Sequence, residues 1–333
     1  MIAGAWQSGA PVLVTGGQGF VGSWLVERLL AGGAQVHVLG SGTSNDFVLP
    51  GLADRCVRLD ADLLDAESLR RALVEHGVRA VFHLAALSLA PEAARAPLEA
   101  YEVNVRGTWT LLEACRTARP VAERVVVAST DRAYGAGEGL PYREEHGLKP
   151  RYPYDASKAC ADIVARSYAA TYDLPVAVLR FANVFGGGDP HVSRLVPGTV
   201  CALLAGERPE IRSNGMMMRD FLYVEDAVDA YLAVADSLDE AELRGRAWNA
   251  SLGQPVTVLD VVDRLIKISG VDVEPDIRGE GFPHGEVPYQ WLDSSALEQQ
   301  LGWRPHWDLQ EGLEATYRWY AEQPDAQLAE GRA

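Results

Sequence analysis

The chain has 333 residues, 48% of them apolar, enough for one large core or for two lobes sharing a cleft. A formal net charge of −16 argues against nucleic acid or an anionic membrane as a bulk partner, though not against a small anionic ligand, which local arginines decide. Cys56, Cys115, Cys160 and Cys201 are scattered, with no C-x-x-C pair and no Cys/His ligand spacing, and read as reduced core thiols of a cytoplasmic protein. Met1–Trp6 lacks a basic start and a long apolar run, and no stretch approaches a membrane span, so neither export signal nor membrane segment is expected.

In chain order, the apolar run Pro11–Val14 leads directly into Thr15-Gly16-Gly17-Gln18-Gly19-Phe20-Val21-Gly22 and then into the amphipathic stretch Trp24–Leu30. That order is strand, glycine turn, helix. Gly16 permits the tight turn, Gly19 lets backbone N–H groups approach a pyrophosphate, and Gly22 lets the helix pack closely on the sheet. The spacing is G-x-x-G-x-x-G rather than the commoner G-x-G-x-x-G, and a glycine-rich turn without a ligand is the plainer reading. Its place after the first strand is what points to a dinucleotide. A second strand, Gln35–Leu39, runs into Gly40-Ser41-Gly42-Thr43-Ser44, with no acid to hold a ribose 2′-hydroxyl and no adjacent Arg for a 2′-phosphate. NAD is favoured over NADP because a phosphate without a cation would be poorly compensated.

Further strands are expected at Val57–Leu59, Ala80–Leu84, Arg124–Ala128 and Val176–Leu179, alternating with helical periodicity. This is the pattern of an α/β protein with a parallel doubly wound sheet. His83, inside an apolar strand, reads as a packed core residue. His284 and His306 have no partner that would make them metal ligands, and no metal is expected. Pro153-Tyr154-Asp155-Ala156-Ser157-Lys158 opens a helix running to about Tyr172, with Tyr154 and Lys158 on one face. An ammonium beside a phenol lowers the phenol's pKa and prepares it to accept a proton near neutrality, whereas the plainer reading is a surface pair. After Gly186, Gly, Pro and Trp become frequent and elements shorten. A smaller lobe is expected from 184–219 and 251–333, with 220–250 returning to the main domain of residues 1–183.

The glycine turn and the Tyr154/Lys158 pair resemble those of the extended short-chain dehydrogenase/reductase family, the nucleotide-sugar epimerases and dehydratases. The resemblance covers nearly the whole chain. It includes Val81-Phe82-His83-Leu84-Ala85-Ala86, Asn104-Val105-Arg106-Gly107-Thr108, Ser129-Thr130-Asp131-Arg132-Ala133-Tyr134-Gly135, Arg180–Gly186, Arg219–Ala227 and Leu301–Pro305. Gly186–Asp189, Val196–Thr199 and Pro288–Asp293 look most like the CDP-glucose 4,6-dehydratase branch. The resemblance implies a Rossmann-type sheet with an interleaved substrate lobe. It places the cofactor against Gly16, Gly19, Phe20, Val21, Gly22, Ser41, Asp62, Leu63, Leu84, Ala85, Ala86, Asn104, Tyr154, Lys158 and Val184. The substrate, a nucleoside-diphosphate hexose, falls against Leu87, Ser88, Asn183, Leu195, Val196, Arg212, Arg219 and Tyr289, with Arg219 as a charged clamp on the diphosphate. A homodimer through the helices around Val103–Thr117 and Tyr154–Tyr172 is implied as well.

For chemistry, the resemblance implies that Tyr154, as phenolate, takes the proton of the sugar 4-hydroxyl, Lys158 holds ribose hydroxyls, and Thr130 bonds the same sugar oxygen. That set serves dehydratases and epimerases alike. Asp131 suits the acid that protonates a departing C6 hydroxyl. Arg132 departs from the family's Glu or Lys: a guanidinium is a poor base, but can stabilise an enolate, leaving Tyr154 or a water as base. A salt-bridged surface Asp-Arg pair is the plainer reading of the two residues. The expectation is a 4,6-dehydratase, with a 4-epimerase as first rival and a cofactor-binding protein without turnover as the rival of another class.

Overall fold

The structure, a computed structural model, describes residues 9–39, 47–136, 139–282 and 285–323. Ser41 and His284 lie outside the described residues. The strands are β1 Pro11–Thr15, β2 Gln35–Leu39, β3 Val57–Arg58, β4 Ala80–His83, β5 Arg124–Thr130, β6 Val176–Phe181, β7 Asn183–Phe185, β8 Glu210–Ile211, β9 Met218–Arg219, β10 Phe221–Tyr223, β11 Ala247–Ala250, β12 Val256–Thr257, β13 Asp276–Ile277 and β14 Tyr289–Gln290. The helices are α1 Phe20–Ala31, α2 Ala66–Glu75, α3 Ala90–Arg95, α4 Pro97–Tyr101, α5 Gly107–Thr117, α6 Pro153–Tyr172, α7 Leu195–Leu204, α8 Val224–Ser237, α9 Val258–Ser269, α10 Ser295–Leu301 and α11 Leu309–Ala321.

Seven parallel strands form the main sheet in the order β11-β6-β5-β4-β1-β2-β3. Strands covered by helices on both faces must be apolar throughout. Accordingly Val12, Leu13 and Val14, and Val125, Val126 and Val127, are at most 1% exposed. The chain leaves β1 toward β2 on one side, and β4 lies on the other, so a crevice opens between them at the strands' carboxyl ends. The six strands read from the sequence are all present. β5 and β6 each run two residues further than their apolar runs, to Thr130 and Phe181.

Residues after Gly186 build α7, α9 and α11 around a second core in which Val196, Val200, Val261, Leu265 and Leu313 pack with Phe20 of α1. β11 pairs with β6 and so lies in the main sheet. β12, β9 and β14 form a separate three-stranded sheet, whose pairing of Gln290 with Arg219 brings two distant segments side by side. Local chemistry sets the helix ends. The Asp65 side chain caps α2, capping boxes open α9 (Thr257/Asp260) and α11 (Asp308/Glu311), and Gly270 ends α9 in the left-handed region. No described helix is long and apolar enough to cross a membrane.

Candidate active site

The glycine turn is needed for steric reasons. Gly16 has φ +70°, and a Cβ there would lie 2.7 Å from the Ala85 nitrogen. A Cβ on Gly22 would lie 2.1 Å from the Gly16 oxygen, so α1 packs against the turn only because both positions lack a side chain. The helix then opens at Gly19 with no side-chain cap and no acid in its first turn. Its first N–H groups and the positive end of its dipole are left for an anionic ligand. In front of it is a cleft of about 800 Å³, lined by Gly16, Gln18, Gly19, Phe20, Val21, Gly22, Asp62, Leu63, Leu84, Ala85, Ala86, Ser88 and Arg194, among others. This bare helix end beside a cleft of that size fits a dinucleotide.

Most expected cofactor residues are on this wall. Asp62 and Leu63 follow β3, and the Asp62 carboxylate accepts the Leu64 N–H at 2.9 Å. Asn104 is 2% exposed and works inside the wall: its amide accepts from Leu87 N at 2.7 Å and donates to Leu87 O at 3.2 Å and Ser157 Oγ at 2.8 Å. It positions the Leu87 turn against α6. Val184, in β7, packs partly buried against the cores. The sequence shows no arginine adjacent to the end of β2, but parallel pairing sets Arg58 of β3 opposite Val38, where it lines the cleft. Arg194 is a second cleft arginine that the sequence did not single out; it donates to Asp189 at 2.9 Å and to Ser88 at 3.2 Å.

His83 is the core residue expected. The Thr108 hydroxyl donates to Asn104 O at 2.7 Å, so its oxygen accepts from His83 Nε2 at 2.9 Å. His83 Nδ1 therefore accepts from the Thr15 hydroxyl, at 2.7 Å. Burial, with the nearby Lys158 charge, drives its pKa down to about 3, and the ring is neutral.

Beyond the nucleotide cleft lies a cluster of charged and proton-bearing groups at the ends of β5 and β9 and the start of α6. Thr130 donates to Asp131 Oδ1 at 3.0 Å. Asp131 is 3% exposed and its Oδ2 has no hydrogen-bond partner among the described residues. Burial raises this carboxyl to about 6, although Arg132, the Thr130 hydrogen bond and Arg219 pull the other way. Asp220, fully buried nearby, is likewise raised to about 6 by burial, with the Gly253 N–H opposing and the Asp131 charge adding.

Arg132 is not a surface partner of Asp131. It is largely buried and donates to Asp155 Oδ1 at 2.7 Å and to Glu286 Oε2 at 3.2 Å. Burial presses it toward neutrality, but the Glu286 and Asp155 carboxylates outweigh this and hold it protonated. Arg219, 8% exposed, shares Glu286 Oε2 at 3.0 Å and donates to the Met218 and Pro288 carbonyls at 2.9 and 3.2 Å. Glu286 thus bridges two candidate site arginines, and no motif in the sequence marks it.

Tyr154 and Lys158 both lie in the first turns of α6. Burial raises the Tyr154 phenol, with Arg194 and then Arg132 as the charges pulling it down. Lys158 donates to Ala128 O at 2.5 Å and is itself lowered by burial to about 8. Arg194 and Arg132 are the leading cations on the phenol.

The expected substrate residues divide. Asn183 donates to Asp220 O at 3.1 Å beside the cluster. Leu195 and Val196 open α7, and the Val196 side chain is spent in the core at 2% exposure. Arg212 is on the surface, paired with Glu210 at 3.2 Å. Tyr289, 49% exposed, stacks edge-on with Phe282. His306, expected to stand alone, has Nδ1 3.5 Å from Asp226, with Asp229 nearby. Asp226 accepts the His306 and Trp307 N–H groups at 2.8 and 3.1 Å, and Asp229 pairs with Arg28 at 2.8 Å, so the cluster anchors the chain before α11 to α8.

The sequence model of the NAD dependent epimerase/dehydratase family matches residues 12–251. The chain is 33% identical to CDP-glucose 4,6-dehydratase of Salmonella typhimurium, covering 95% of this chain and 91% of that one. It is 32% identical to UDP-glucose 4-epimerase of Mycolicibacterium smegmatis, covering 92% and 97%. Among solved structures it is similar to dTDP-glucose 4,6-dehydratase of Streptomyces venezuelae with NAD bound, with TM-score 0.83, 33% identity, and coverage of 94% and 97%.

Proposed function

Because the chain belongs to the NAD dependent epimerase/dehydratase family, we propose that it is a nucleoside-diphosphate-sugar 4,6-dehydratase of the CDP-glucose type. NAD, held along Gly16–Gly22, supplies the hydride acceptor for C4 and the hydride donor for C6. Tyr154 takes the C4 hydroxyl proton, with Arg194 and Arg132 favouring its phenolate, while Thr130 bonds the same oxygen. Lys158 holds ribose hydroxyls. Asp131 donates a proton to the C6 hydroxyl as it departs, and Arg132 stabilises charge on the 4-keto sugar as C5 loses its proton. Arg219 and Asn183 hold the diphosphate side, with residues 184–219 and 251–333 as the sugar-nucleotide lobe.

The observation that carries this reading is Asp131: burial raises this carboxyl to about 6, and one oxygen has no partner among the described residues, so it keeps a larger protonated fraction toward neutrality than a free carboxyl and can donate a proton. An epimerase has no use for an acid beside C6. The 4-epimerase is the second reading because UDP-glucose 4-epimerases are nearly as similar over nearly as much of the chain. Leu98, Tyr101, Trp109, Ile163 and Tyr172 are exposed on α4, α5 and α6, which supports a homodimer through these helices. The cysteines are free, which supports a reducing, cytoplasmic setting, but only Cys115 and Cys201 are core thiols, Cys56 being half-buried and Cys160 exposed on α6.

Incubation of the NAD-loaded protein with CDP-, UDP-, dTDP- and GDP-hexoses in deuterated water, with mass spectrometry of products, tests the reading. Loss of one water with deuterium at C5 is the expected result. An isomer of unchanged mass makes the protein an epimerase, and nucleotide binding without turnover makes it a non-catalytic member.

A further inference from the structure

Dehydration across C5 and C6 requires a base for the C5 proton as well as an acid for the C6 hydroxyl. Arg132, next to the acid, is held protonated by the two carboxylates it touches and cannot be that base. The fold brings a carboxylate to the same guanidinium from 154 residues away. Glu286 Oε2 accepts from Arg132 Nη1 at 3.2 Å and from Arg219 Nη2 at 3.0 Å. Its Oε1 takes no hydrogen bond among the described residues, and the side chain retains 32% exposure, so one oxygen is pinned while the other is available. Arg132 also pairs with Asp155, so its charge is divided between two acids rather than committed to Glu286. Both arginines that hold Glu286 also act on the Asp131 carboxyl, which places acid and base on one pair of cations.

We propose that Glu286 is the catalytic base for the C5 proton, an inference that rests on the dehydratase reading above. A Glu286 oxygen takes the proton from C5 of the 4-keto sugar. The C–H electron pair becomes the C5–C6 π bond as the C6–O bond breaks, and its electrons leave with the hydroxyl, which departs as water carrying the Asp131 proton. Glu286 is then the carboxylic acid and Asp131 the carboxylate. The partly exposed Glu286 carboxyl exchanges that proton with solvent and returns one to C5 when the alkene is reduced, which brings deuterium to C5 in deuterated water.

The test uses NAD-loaded wild type and Glu286→Gln, which keeps an oxygen for both arginines and removes the basicity, with the hexose nucleotide that the wild type dehydrates. The expected result is a fall in kcat of roughly 10²–10⁴ with KM changed by less than about threefold. The absorbance of reduced nicotinamide should build up on substrate addition, because C4 oxidation does not need Glu286, and the 4-keto sugar trapped from the variant should lack deuterium at C5. Glu286→Asp should recover part of the rate. Near-wild-type kcat in Glu286→Gln overturns the proposal. So does a variant that fails to form reduced nicotinamide or melts lower with lost substrate binding, since the ion bridge would then be structural. If the wild type itself yields an isomer of unchanged mass, it is the dehydratase reading that has failed, a result separate from these.

Discussion

Replacing Asp131 by Asn should stabilise the protein near and above neutrality while abolishing dehydration. The carboxyl is 3% exposed, and burial raises its pKa from 3.8 to about 6 against the pull of Arg132, Thr130 and Arg219. A carboxyl with a folded pKa above its unfolded one holds its proton more firmly in the native state, so stability is lost as pH rises from about 3.8 to 6 and the penalty is complete above that. A shift of about two units is on the order of 3 kcal/mol. Asn keeps an oxygen for the Thr130 hydroxyl but places an NH2 where Oδ2 has no partner among the described residues, which costs on the order of 1 kcal/mol. The net gain is about 1–3 kcal/mol, or roughly 2–5 °C in melting midpoint for a chain of this size. Asp220 works in the same direction, because the Asp131 charge is part of what raises it. Urea and thermal unfolding of both proteins with saturating NAD, from pH 4 to 8, should show a difference that is absent or slightly negative at the acid end and grows across the Asp131 titration. A difference constant with pH, or a variant less stable at pH 8, would refute the reasoning.

Gly22→Ala should release the cofactor, because the added methyl lies 2.1 Å from the Gly16 oxygen and the turn must open; NAD content of the purified protein should fall at least tenfold, with a stability loss of about 1–3 kcal/mol. Arg180→Met should cost about 3–5 kcal/mol by stranding Asp162. Arg180 and Asp162 are each at most 1% exposed and joined at 2.8 and 3.1 Å. Urea midpoints should show that loss, and the pair replacement Arg180→Met with Asp162→Leu should recover most of it.

What could be read in the chain follows the range of the forces involved. β1, the glycine turn and α1 are written within twenty-one residues, from Pro11 to Ala31, and both the steric need for Gly22 and the open helix end act at that range. The parallel strands are legible because burial on both faces demands unbroken apolar runs. Asp131 was visible through its place in the motif that carries the family resemblance, but its raised pKa was not, since that comes from burial in the fold. Arg58 was invisible because strand pairing, not sequence distance, sets it beside the end of β2. The partner of Lys158 was invisible for a related reason. Sharing a helix face with Tyr154 is a local fact, while its ammonium is held by the Ala128 carbonyl of β5.

Arg132 shows what this difference in range means for a site assembled from two parts of the chain. Read locally, an arginine beside Asp131 is a poor base that can at most stabilise an enolate. In the fold, the same guanidinium is anchored by Asp155 of α6 and in turn holds Glu286, which lies three residues before β14. β14 pairs with β9, and β9 carries Arg219, the other cation on Glu286. Pairing of two short strands therefore sets the distance between Glu286 and Asp131, while the nucleotide cleft is built entirely from other elements. Substitutions that loosen the β9–β14 pairing, such as proline at Gln290, should accordingly leave cofactor content intact and lower kcat, whereas changes in the glycine turn remove the cofactor first. Equal loss of both in the strand variant would mean that the small sheet and the cleft form one cooperative unit.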